Sequence, residues 1–119
     1  MTEAELARLR PHDGARFLLE RAAAPEAGAG PAIAAAAAEP VRYAGWVITP
    51  TAAWGYAVAL ASGAEPEIAA LDAPAPPELE KTLVMIARLT ARAAPSRRED
   101  GQPPWPPRVL RWRGPGRGA

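Results

Sequence analysis

The chain has 119 residues, 49% of them hydrophobic, with a formal net charge of +1, which suits one domain with a short appended segment. Thirty residues are alanine, while Leu, Ile, Val and Phe together number only 20, so the core is built from few large side chains and its burial energy, worth roughly 25 cal/mol per Å², is limited. Cysteine is absent, which excludes disulfides, zinc–thiolate centres and thiol nucleophiles.

The amino terminus, Met1-Thr2-Glu3-Ala4-Glu5-Leu6, is acidic and carries no apolar signal segment, so a cytoplasmic location is expected. Thr2-Glu3-Ala4-Glu5 has capping-box spacing, and Leu6 and Leu9 follow three apart, predicting a short amphipathic helix over residues 3–10. Pro11-His12-Asp13-Gly14 ends that helix, because proline cannot continue it and Gly14 tolerates a positive φ. Residues 15–23, with Phe17, Leu18 and Leu19, predict a strand. Residues 24–31 read as a loop. Ala32–Ala38, nearly pure alanine around Ile33, is too short for a stable isolated helix and reads as strand in preference to helix.

From Tyr43 to Ala64 no residue is charged, long enough for a membrane-spanning helix. The pattern favours a hairpin instead. Trp54, Tyr56, Val58 and Leu60 alternate with glycine and alanine, which sets the large side chains on one face of a strand, and Val41–Thr49 precedes it across a turn at Pro50. Ser62-Gly63-Ala64-Glu65-Pro66 makes the next turn and Glu67–Leu71 another short strand. A proline-rich break then leads into a helix over 78–94. Pro77 suits its first turn, Glu78 and Glu80 complement its positive end, and Arg88 and Arg92 its negative end. Leu79, Leu83, Ile86 and Thr90 form its apolar side. Pro95–Pro107 reads as a polar connector.

The fold expected is therefore α+β: a short amino-terminal helix, an antiparallel sheet of four or five strands and one long carboxy-terminal helix across one face. The expected division is a domain over 1–94 and a basic Pro/Gly/Trp-rich tail over 95–119, with docking back as a terminal strand as the alternative. Residues 1–94 hold eight basic against eleven acidic residues, and 95–119 hold six against two. A basic tail on an acidic body suits an anionic partner.

His12-Asp13 is a weak candidate for acid–base chemistry, since sequence neighbours in a turn diverge and no serine or second carboxylate pairs with them. Leu9–Glu20, with its Pro-His turn before an apolar strand, resembles the opening segment of hotdog-fold hydroxyacyl-carrier-protein dehydratases. The later Gly-His-Phe-Pro-Gly type segment of that family, and the long central helix after it, have no counterpart here, so the activity is not carried over. Gly114-Pro115-Gly116-Arg117-Gly118 lacks the Lys-Ser/Thr ending of a phosphate loop. No metal or cofactor set stands out. Trp46 and Trp54 are large enough to anchor an interface, although a core short of bulky groups competes for them.

The candidate partner-contacting residues are Trp105, Arg108, Arg111, Trp112 and Arg113. The leading expectation is a non-enzymatic protein-interaction or adaptor module, a subunit of a larger assembly. One alternative is weak nucleic-acid binding through the tail, where Arg contacts phosphate and both Arg and Trp stack on bases; the other is an enzyme of unrecognised type.

Overall fold

A computed structural model describes residues 2–22 and 39–114. The strand expected at 32–38 and the Pro115–Gly118 part of the glycine-rich end lie outside these residues. Among the described residues, two helices and five strands run in the order α1 (Glu3–Leu9), β1 (Ala15–Arg21), β2 (Val41–Ile48), β3 (Ala53–Leu60), β4 (Glu67–Ala70), α2 (Pro77–Glu99) and β5 (Arg108–Arg113). The strands form one sheet of order β4-β3-β2-β1-β5, with every neighbouring pair antiparallel. The fold is the α+β architecture expected from the sequence.

Side chains alternate between the two sheet faces. Registers of Phe17 with Val47, Val47 with Trp54 and Leu19 with Val109 align one set. Phe17, Leu19, Val41, Tyr43, Val47, Tyr56, Val58, Leu60 and Val109 thus point to a single side and are buried there. α2 covers that side with Leu83, Ile86, Ala87, Thr90, Ala91 and Ala94. Alanine at 87, 91 and 94 lets the helix backbone sit close to the sheet, which is how so alanine-rich a chain closes a core. Thr90 is satisfied inside it by donating its hydroxyl to the Ile86 carbonyl at 2.9 Å.

The turns form where the sequence chemistry requires. Thr2 Oγ1 caps α1 by accepting from Glu5 N at 3.1 Å. Gly14 takes φ 71°, and a Cβ there would strike the Arg113 carbonyl oxygen, so both conformation and close approach call for glycine. Thr49 closes the β2–β3 hairpin, its hydroxyl accepting from Ala52 N at 3.0 Å. The charge-free stretch from Tyr43 to Ala64 is thus mostly this hairpin, and among the described residues no helix is long and apolar enough to cross a membrane.

The opposite, outer face is thinner. Leu18 and Ile48 are enclosed on it at 1% and 0% exposure, and Leu18 is flanked in register by Trp46 and Leu110. Trp46 lies across Gly55, whose missing side chain makes room for the indole. α1 lies beside this face and is tied to the hairpin by Arg10 Nη1, which donates to the Thr49 carbonyl at 3.0 Å.

The end of α2 departs from expectation, whereas the strand beyond it is the alternative the sequence offered. Pro95 sits inside α2, which continues to Glu99, so the division placed at residue 94 falls within a helix. An internal proline removes a helix hydrogen bond at a cost of about 3 kcal/mol. Tertiary anchors offset it: Ala94 is fully enclosed, Gln102 N donates to the Arg97 carbonyl at 2.9 Å, and Arg97 Nε donates to the Pro103 carbonyl at 2.8 Å. The connector is correspondingly shorter than 95–107. Beyond it, Arg108–Arg113 docks back onto β1 as the terminal strand.

Candidate interaction groove

The five candidate residues are divided by the fold. Trp105 is 1% exposed and belongs to the core, so it is removed from the surface set. A flat apolar indole between prolines is worth more inside a core short of large groups than in water. Its carbonyl accepts from Arg21 Nη1 at 2.7 Å, and the next carbonyl, of Pro106, accepts from Tyr43 OH at 2.7 Å. These bonds fix the connector against β1 and β2. Trp105 Nε1 is buried without a hydrogen-bond partner.

Arg108, Arg111, Trp112 and Arg113 are exposed on β5, but on different faces. Arg108, Leu110 and Trp112 point to the outer face, Val109, Arg111 and Arg113 to the α2 face. Trp112 is pinned beside the amino-terminal turn, its Nε1 donating to the Asp13 carbonyl at 2.9 Å. His12 and Asp13 are themselves exposed there. Asp13 is engaged through its backbone.

On the α2 face a groove of about 160 Å³ runs between α2 and β5. Ile86, Leu89 and Val109 supply its apolar lining, and Arg97, Arg111 and Arg113 its cations. Leu89 is 54% exposed, a large apolar group left uncovered at the helix side. The ion pairs among the described residues are Arg88–Glu65 and Arg98–Glu39; none of the three groove arginines takes part in one. Arg111 Nη1 and Arg113 Nη1 instead donate to the backbone carbonyls of Leu110, at 2.9 Å, and Trp112, at 3.4 Å.

The electrostatics behind the groove are cationic as well. Burial pushes the Tyr43 hydroxyl up to about 12, against the opposing pull of Arg21 and Arg97, so it remains a neutral donor to Pro106. At the middle of α2, Glu65 is held below the usual carboxylate range by its hydrogen bond to Arg88.

Arg97, Ile86 and Leu89 were missed as site residues by the sequence reading. The available signal was helical: residues 86, 90, 93 and 97 keep one face through three turns, but only if the helix runs through Pro95. Among the described residues, no group of three or more histidine, aspartate or glutamate side chains is placed to hold a metal ion. Comparison with known proteins gives no match: no family model fits the chain, and no curated protein or solved structure resembles it.

Proposed function

We propose that the protein is a non-enzymatic interaction module, a subunit or adaptor in a cytoplasmic assembly, whose contact with an acidic protein partner runs along the α2–β5 groove. The observation that carries this reading is the gathering of Arg97, Arg111 and Arg113, free of carboxylate partners among the described residues, around an apolar floor. Guanidinium groups are donors only and stay protonated, so they bind anions but supply no general base. Thr90, the one hydroxyl in the lining, is engaged by its own helix. The groove is also small beside the roughly 300–1,000 Å³ of ordinary small-molecule pockets.

Nucleic-acid binding through the tail is less favoured for a specific reason. Single-strand recognition combines cations with aromatic platforms, and the three groove arginines have none beside them: Trp105 is enclosed, and Trp112 points to the opposite face, where it lies with Arg108 and its register partner Arg16.

The test is titration of the ¹⁵N-labelled full chain with short glutamate-rich peptides carrying apolar residues. Amide shifts are expected to cluster at Leu89, Ala93, Val109 and Arg113, and to vanish in the triple variant Arg97→Ala/Arg111→Ala/Arg113→Ala. Absence of shifts in the groove, or shifts centred elsewhere, would sink the reading.

A further inference from the structure

β5 has a neighbour on one side only: among the described residues the sheet ends there. The direction of its backbone groups follows from one bond. Arg21 N donates to the Pro107 carbonyl at 2.8 Å, and Arg21 and Pro107 continue the register that pairs Leu19 with Val109 and Phe17 with Arg111. The main-chain groups of Val109, Arg111 and Arg113 therefore face β1, while those of Leu110 and Trp112 face outward along the free edge.

The carbonyls of Arg108, Leu110 and Trp112 lie on this edge, and two of them are the ones already described as covered, Leu110 O by Arg111 Nη1 and Trp112 O by Arg113 Nη1. An exposed edge is a template for another strand, and charged side chains laid over it discourage indiscriminate pairing. Here the cover is reversible. A guanidinium exchanges a neutral carbonyl for a carboxylate when one arrives, because the charge-assisted bond is stronger.

From Leu110 to Arg113 the side chains along the same edge alternate in character. On the α2 face stand Arg111 and Arg113; on the outer face stand Leu110 and Trp112, 37% and 41% exposed. A strand laid beside β5 brings its own side chains into register with these, acid opposite arginine and apolar opposite Leu110 and Trp112. A second copy of β5 is a poor occupant, because a strand with three arginines among its six residues sets cation near cation.

Resting on the interaction-module reading above, we infer that the ligand is an extended protein segment of alternating acidic and apolar residues that adds antiparallel to the free edge of β5. Its carboxylates draw Arg111 and Arg113 off the Leu110 and Trp112 carbonyls. The uncovered edge then bonds the segment's main chain. This is strand addition with an electrostatic entry condition, in which backbone pairing supplies affinity and the alternation supplies selectivity.

The probe is a short fluorescein-labelled peptide of alternating glutamate and valine, followed by anisotropy with the full chain. A peptide of the same composition with glutamates and valines in separate blocks is expected to bind about tenfold more weakly. In the antiparallel arrangement the valines lie opposite Leu110 and Trp112 and their N–H groups meet the edge, so N-methylation of the valines abolishes binding and N-methylation of the glutamates does not. Arg111→Glu/Arg113→Glu, checked for an unchanged Tm, loses the peptide and gains the lysine–valine counterpart.

Binding in the groove that ignores N-methylation overturns strand addition and leaves the interaction module standing. No binding by any acidic peptide overturns both. Tighter binding of a single-stranded oligonucleotide in the same buffer, or a dimer in sedimentation that involves β5, also overturns the inference.

Discussion

Tyr56 joins three parts of the molecule through one oxygen. Its hydroxyl accepts from Ala75 N at 2.7 Å and donates to Glu80 Oε2 at 2.9 Å, so β3, the loop before α2 and the first turn of α2 meet at a point that is 1% exposed. Tyr56→Phe leaves a buried N–H without its acceptor, which costs about 1–3 kcal/mol. A urea melt should show that loss with an unchanged m-value. A full restoration of stability by a relaxed backbone would instead mean that the Ala75 loop is not held by this bond. At this scale the sequence was only partly legible. Tyr56 was readable as an inward-facing strand residue from the alternation around it, but no local pattern marks which backbone N–H a tyrosine oxygen will meet across a gap of 19 residues in the chain.

At the scale of elements, α2 was the clearest, because Pro77, Glu78 and Glu80, the leucine spacing and the basic last turns all favour the same helix. What its signals hid was its end. Pro95 reads locally as a stop, and it is overruled by Ala94 packing and by the bonds at Arg97. Since residue 95 is exposed, Pro95→Ala restores a helix bond without disturbing the core and should raise stability, by up to about 3 kcal/mol. A lowered Tm would show that the proline shapes the helix end that carries Arg97. β5 was harder to read for the opposite reason: Arg-Val-Leu-Arg-Trp-Arg alternates imperfectly, and its strand character comes from pairing with β1 rather than from its own pattern. The groove inherits both difficulties. Arg111 and Arg113 were legible as exposed cations, whereas Arg97 joins them only through the helix extension and the β1–β5 pairing.

For the molecule as a whole, the carboxy-terminal third is part of the fold. Trp105 and Val109 are buried at 1% and 7%, and replacing one buried tryptophan by alanine costs about 3–5 kcal/mol, against a total stability of about 5–15 kcal/mol for a typical domain. A chain truncated after Ala94 loses both residues, the last turn of α2 and a whole strand. Loss of the cooperative thermal transition is expected by circular dichroism. A truncated chain that melts at the temperature of the full one would contradict this placement of the tail. Composition concealed the point, since a segment rich in proline, glycine and arginine resembles a linker until Trp105 is seen inside.

The position of β5 beside β1 also bears on how the protein comes into being. During synthesis β1 and β2 emerge before β5, so β2 can pair with β1 on one side while the other side of β1 must wait for a strand made later. The waiting edge belongs to Phe17, Leu18 and Leu19, the most apolar run of that strand. Until Arg108–Arg113 arrives, the nascent chain presents an open, sticky border, so the closing step is nonlocal and slow relative to hairpin formation. The strand whose own outer edge stays open is thus the one that closes the edge of β1.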